Sequence, residues 1–222
     1  MRINEIPRVN LAVLPTPLQP MNNLSKELGG PQLFIKRDDM TGLATGGNKT
    51  RILEFILGDA LSLGADIIVT GANPQSNFVR QTTAATRKLG MDLLLVISDE
   101  KPAEISGNLL LTTIMGAEIR FIGGHEDDLG PKMEDVAQEL REAGRKPYVI
   151  HRFGSVPKGA VAYVDAFFEL ESQVKQQDLG VNKVVVSSAA GTYGGMCLGA
   201  MAMESDIEVT GIEISERLEN WE

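Results

Sequence analysis

The chain holds one cysteine, Cys197, and two histidines, His125 and His151, among its 222 residues. A lone thiol makes no internal disulfide, and sites built from clustered cysteines are excluded. Cys197 reads as a small buried hydrophobe, and the methionines as core fillers. His125 sits in Gly123-Gly124-His125-Glu126-Asp127-Asp128, a solvated turn opening a helix rather than a metal centre, so no metal is expected. His151 follows an apolar run and carries no assigned role. No apolar stretch reaches the ~18–20 residues of a membrane helix, and Met1–Glu5 shows no secretory signal. Basic charge is scarce: 21 Lys and Arg against 30 Asp and Glu give a net charge of −9. With no basic block, binding to a phosphate backbone is disfavoured. These absences lead us to expect a cytoplasmic protein with no nucleic-acid or membrane partner. There is no internal repeat, low-complexity tract or Pro/Ser-rich linker. At roughly 150 residues per domain, the length amounts to one and a half domains.

What is present is an α/β alternation. The expected strands are Leu33–Lys36, Ile67–Thr70, Leu93–Ser98, Glu118–Ile122, Tyr148–Arg152, Lys183–Ser187 and Glu208–Ile214. Each run is continuous in apolar character, as when helices cover both faces of a parallel sheet. Helical periodicity fills Asn48–Leu63, Asn77–Leu89, Ser106–Met115, Asp128–Glu142, Gly159–Gln177 and Met196–Met203, with a shorter piece at Ser25–Leu28. Gly64, Gly90, Gly116, Gly144 and Gly180 fall just past helical segments, where left-handed caps favour glycine. The alternation predicts a doubly wound architecture.

Ligands of open α/β sheets lie on the loops that lead from strands into helices, and three such loops are unusual here. Thr41–Thr50 is glycine-rich and places Lys49 at a helix start. It misses the phosphate-cradling G-x-x-x-x-G-K-[ST] pattern by one residue, because Asn48 precedes Lys49. A lysine that is partly desolvated at a positive helix end has a lowered pKa, which suits Schiff-base chemistry; a solvated lysine without a role is the other reading. Gln75-Ser76-Asn77 puts three short polar side chains beside helix-start amides, a site for a carboxylate or phenolate oxygen or a plain N-cap. Ser187–Gly195 is a small-residue turn with the form of a phosphate cup.

In order, Gly46-Gly47-Asn48-Lys49-Thr50-Arg51, Gln75-Ser76-Asn77 with Arg80-Gln81, and the Gly191-Thr192 turn form a set. Around them stand Pro15-Thr16-Pro17-Leu18, Phe34–Asp39, Gly107-Asn108-Leu109 and Gly116-Ala117-Glu118. From about residue 6 to 214 the chain resembles the pyridoxal-phosphate enzymes of the tryptophan synthase β-like fold. Within them it is most similar to the D-cysteine desulfhydrase and 1-aminocyclopropane-1-carboxylate deaminase family. The resemblance implies two lobes with parallel-rich sheets flanked by helices. Residues 1–49 and 156–222 would form a larger cofactor lobe, incomplete at its C-terminal end, and residues 50–155 a small lobe. It implies that Lys49 binds pyridoxal phosphate as a Schiff base and moves protons. Asn77 would bond the cofactor's phenolic oxygen. Ser76, with Gln75, would meet the substrate carboxylate, and Ser76 would assist proton transfer. Ala189, Ala190, Gly191 and Thr192 would cradle the phosphate.

The chain departs from the family at Ser188-Ala189-Ala190, where a glycine-richer turn is usual, and at Ile52, where a second lysine is usual. The resemblance implies a lyase or deaminase of a small amino acid, D-cysteine first, and a homodimer. Deamination of aminocyclopropane-carboxylate and a shortened, inactive relative or binding module are the alternatives.

Overall fold

The computed structural model describes residues 3–151, 156–188 and 191–213. Ala189 and Ala190, and the ends of two expected strands at Arg152 and Ile214, lie outside them. Among the described residues there are eight strands: β1 Leu18–Pro20, β2 Phe34–Lys36, β3 Ile67–Ala72, β4 Asp92–Ile97, β5 Glu118–Phe121, β6 Pro147–Ile150, β7 Lys183–Ser187 and β8 Glu208–Ile212. Seven helices accompany them: α1 Asn22–Leu28, α2 Lys49–Ser62, α3 Asn77–Leu89, α4 Gly107–Ile114, α5 Leu129–Glu142, α6 Val156–Gln176 and α7 Gly191–Ala202. Described residues of Ile6–Thr16 and Asp38–Ser155 form a central unit, and those of Met1–Glu5, Pro17–Arg37 and Val156–Glu222 a terminal unit.

The central unit is a parallel sheet in the order β5-β4-β3-β6. Its inner strands β3 and β4 are near-continuous apolar runs because alternate residues feed two cores. Ile68, Leu93, Leu95 and Ile97 pack with Leu53, Ile56 and Leu57 of α2 and Val79 of α3. Ile67, Val69, Leu94 and Val96 face Leu129, Met133 and Val136 of α5. The chain steps outward from β3 through β4 to β5, and α5 then carries it back to β6 on β3's other side. The carboxyl end of β3 is therefore the place where the winding reverses, and ligands of such sheets bind there.

Buried polar side chains of α2 hold the residues around it. Arg51 is 1% exposed and forks onto Asp38, Nε to Oδ2 at 3.0 Å and Nη2 to Oδ1 at 2.9 Å. Its Nη2 also donates to Thr16 Oγ1 at 3.0 Å. Glu54, fully buried, accepts from the amides of Leu11 and Ala12 at 2.8 and 2.7 Å and pairs with Arg8 at 2.7 Å. Residues 6–16 and 38–48 are thereby tied to α2 inside the central unit.

In the terminal unit, β1 and β2 pair antiparallel and β7 and β8 pair parallel. The α7 residues Gly195 and Gly199 let α7 press on α6. A side-chain carbon at Gly195 would collide with the Ala160 carbonyl, and one at Gly199 would come within 2.6 Å of Phe167 Cβ. The structure differs from expectation at β7, which alternates instead of being covered on both faces. Tyr193 of α7 packs on Gly211, on the side of Val184, Val186 and Val209. The opposite side, with Val185 63% and Ile212 50% exposed, is bare. At the end of α6, Asp178 adopts the left-handed conformation (φ 52°), not Gly180. Asp178→Gly is expected to be neutral or slightly stabilising, since glycine carries no penalty there.

The Arg51–Asp38 fork gives a sharper expectation. Asp38→Ala removes the carboxylate onto which a buried guanidinium forks and should cost about 3–5 kcal/mol in urea denaturation, with Asp38→Asn in between. A loss below about 1 kcal/mol in the same experiment would contradict the role given to this pair.

Candidate active site

The loop that ends in Lys49 is held in a sparsely populated backbone path. Ala44, Thr45, Gly46 and Gly47 are consecutive left-handed residues, with φ of 47°, 69°, 79° and 133°. For Ala44 and Thr45 that conformation is strained and persists only where the surroundings enforce it. The enforcing group is Thr41, fully buried, whose hydroxyl donates to the Gly47 carbonyl at 2.8 Å and accepts from the Gly47 amide at 2.9 Å. Thr50 then donates to Gln81 Oε1 of α3 at 2.7 Å. Glycine is required by contact as well. A side-chain carbon at Gly46 would collide with the Asp39 carbonyl, and one at Gly47 would come within 2.5 Å of Gln81 Nε2.

Lys49 follows as the first residue of α2, its side chain half-buried. Burial holds its ammonium below the usual lysine range, and no neighbouring charge contributes to the shift. Among the described residues Nζ has no hydrogen bond or ion pair. Such an amine is poised to be neutral and nucleophilic.

The loop after β3 leads into α3 with Ser76 as N-cap, its Oγ accepting from the Val79 amide at 3.3 Å. The Ser76 amide bonds to the Asn73 carbonyl at 3.2 Å. The amides of Asn77 and Phe78 remain as open donors among the described residues, the arrangement that receives an anionic oxygen. Gln75 is turned toward α4. Its Oε1 accepts from the Asn108 amide at 2.9 Å and its Nε2 donates to the Ser106 carbonyl at 3.3 Å. Asn77 is exposed, and its Oδ1 accepts from Arg80 Nη1 at 3.0 Å and Asn108 Nδ2 at 3.1 Å. Arg80 Nη2 donates to the Gly46 carbonyl at 3.0 Å. The Lys49 loop and the start of α3 are thus within hydrogen-bond reach of one guanidinium.

Lys49, Gln75, Ser76 and Asn77 all belong to the central unit, and Gly191 and Thr192 open α7 in the terminal unit. Thr192 is buried, whereas Ala189 and Ala190 lie outside the described residues. Ile52 packs partly buried against the central core, so nothing cationic stands at that position. His125 caps a short helical turn, its ring nitrogen accepting from the Asp127 amide. Sequence reasoning assigned no role to Thr41, Arg80, Gln81 or Asn108. Arg80-Gln81 and Gly107-Asn108-Leu109 stood out as motifs, but the bonds that make them a cluster join residues about 30 positions apart.

Over residues 9–219 the chain matches the family described as pyridoxal-phosphate dependent enzymes, and it belongs to that family. A relative from Pyrococcus horikoshii, provisionally named 1-aminocyclopropane-1-carboxylate deaminase, is 42% identical over 95% of this chain and 63% of its own length. D-cysteine desulfhydrase of Serratia proteamaculans is 35% identical over 98% of this chain and 67% of its own length. A crystal structure of an ACC deaminase homologue superposes with a TM-score of 0.86 at 41% identity, covering 95% of this chain and 64% of that one. A bacterial threonine deaminase, at a TM-score of 0.71 and 21% identity over 89% of this chain and 59% of its own, shares the fold. The chain spans about two-thirds of the length of the first three relatives.

The family's cofactor is pyridoxal phosphate, and the residues present fit it. An amine with no counter-ion among the described residues, an amide held by its oxygen and open amides at the start of α3 suit an aldehyde-bearing, anionic ring.

Since burial disfavours the charged form, Lys49 should lose its proton at lower pH in the folded chain than in the urea-unfolded chain. Competitive reductive methylation read by mass spectrometry across pH should show Lys49 reacting with a lower midpoint in the folded state; an equal or higher midpoint would contradict its desolvation.

Proposed function

We propose that this chain binds pyridoxal phosphate on Lys49 and supports lyase or deaminase chemistry on a small amino acid, with D-cysteine as the first substrate. The carrying observation is the half-buried Lys49 amine, its proton affinity lowered by burial alone, on a loop tied through Arg80 to the start of α3. When bound, the cofactor supplies an electron sink that makes a Cα–H bond breakable. The protein's own residues do the rest. Lys49 Nζ would hold the cofactor and would take the Cα proton as the β-thiol leaves. Asn77 would donate from Nδ2 to the ring's phenolic oxygen. Ser76 accepts the Val79 amide at Oγ and so keeps its own hydrogen for an outward acceptor, the substrate carboxylate, beside the open amides of Asn77 and Phe78. Gln75 contributes by holding α4's first turn against this loop. The segment Ala189, Ala190, Gly191 and Thr192 is our assignment for the phosphate. Loss of the β-thiol of D-cysteine and hydrolysis with one water gives pyruvate, sulfide and ammonia. The name of the Pyrococcus relative favours a second substrate, aminocyclopropane-carboxylate, which with water yields α-ketobutyrate and ammonia.

The chain supplemented with pyridoxal phosphate is expected to release pyruvate and sulfide from D-cysteine. Lys49→Ala should abolish release, and Ser76→Ala should lower it about 10–100-fold, the loss of one hydrogen bond to a charged carboxylate. α-Ketobutyrate from aminocyclopropane-carboxylate without sulfide release would move the assignment to the second substrate. Cofactor bound with no product from either would make the chain a binding module.

A further inference from the structure

At the start of α3 lies a closed set of amide side chains whose orientation is dictated by one cation. A guanidinium donates and never accepts, so each amide atom facing Arg80 must be an oxygen. Arg80 Nη1 reaches Asn77 Oδ1 at 3.0 Å and Asn108 Oδ1 at 2.8 Å. With its oxygen so fixed, Asn108 turns its nitrogen to the Gln75 carbonyl at 2.6 Å and to Asn77 Oδ1 at 3.1 Å. Asn77 thus receives two donors on its oxygen, and its Nδ2 makes no hydrogen bond among the described residues. Arg80 Nη2 ends on the Gly46 carbonyl, three residues before Lys49, and the buried Nε has no partner there either.

We propose that Arg80 and Asn108 are positioning residues: together they lock the Asn77 amide with its oxygen held and its nitrogen free, so that the site offers a hydrogen-bond donor, never an acceptor, to the anionic ring oxygen of the bound cofactor. This deepens, and rests on, the reading of Asn77 as a cofactor contact. A flipped Asn77 would face that oxygen with its own carbonyl, so the lock converts a two-way amide into a one-way anion contact. Arg80 adds its charge on the same side and joins the donor to the Lys49 loop, so ring oxygen and lysine are registered by one side chain.

The test is a double-mutant cycle on pyridoxal phosphate binding, read by dissociation constant and by the pH at which the bound cofactor's visible band titrates. Asn77→Ala should weaken binding about tenfold, the loss of one hydrogen bond to a charged group. Arg80→Met and Asn108→Ala should each weaken it by several-fold and move the band's titration to higher pH, because the ring oxygen loses its stabilisation. Arg80→Lys, which keeps charge but loses the fork, should restore only part of the effect. In the Asn77→Ala background, Arg80→Met and Asn108→Ala should each add less than about twofold, because coupled residues share one effect. Equal effects in both backgrounds, or unchanged binding and titration in Arg80→Met and Asn108→Ala, would overturn the inference while leaving the Lys49 reading intact. Asn108→Ala keeps the test open should Arg80→Met fail to fold. No cofactor uptake by the unsubstituted chain would overturn both.

Discussion

The structure turns on taking one amine out of water without giving it a counter-charge. A lysine ammonium in that position is unfavourable, so everything around Lys49 must be held by other means. Thr41 clamps both the amide and the carbonyl of Gly47. Ala44 and Thr45 accept left-handed backbone that their side chains disfavour. Arg51 and Glu54, buried on the same helix, satisfy their charges with Asp38, Thr16, Arg8 and the amides of residues 11 and 12. The polar interior of α2 is thus committed to fixing the loop, and Lys49 is left out of it.

The second half of the site obeys the same logic with opposite sign. The first turn of α3 is a donor surface: amides of Asn77 and Phe78, the hydroxyl of Ser76, and the nitrogen of Asn77, which is uncommitted among the described residues. Arg80 sits behind it and makes the arrangement single-valued. A partly desolvated amine and a set of donors, on two segments that Arg80 ties together where the winding of β5-β4-β3-β6 reverses, suit an aldehyde-bearing anion and a carboxylate substrate. Family membership and this chemistry point the same way.

Much of this was legible in the sequence. Continuous runs such as Leu93–Ser98 became β4 because two cores, one built on α2 and α3 and one on α5, claim alternate residues. Asn77–Leu89 matched α3 to the residue because Ser76 caps one end and Gly90 the other. The misses have physical causes. β1 is three residues ending in a proline, and it exists only by pairing with β2. β7 was expected to be covered on both faces, but strand hydrophobicity does not say which helices arrive. Gly180 lost its capping role to Asp178, a residue that tolerates left-handed backbone. Within the candidate site, residue types singled out Lys49, Ser76 and Asn77, and the resemblance supplied the roles proposed for them. The roles of Thr41, Arg80 and Asn108 arise from hydrogen bonds between distant segments, and no local pattern encodes them.

The central claim is that Lys49, and no other lysine, is the amine that carries the cofactor, with Asn77 Nδ2 at its ring oxygen. A crystal structure of the chain grown with pyridoxal phosphate tests it in one observation. The predicted result is continuous density from Lys49 Nζ to the cofactor's aldehyde carbon, with the Asn77 amide nitrogen within hydrogen-bond distance of the phenolic oxygen. Cofactor joined to a different lysine, or lying free with the Asn77 oxygen turned toward it, would contradict it.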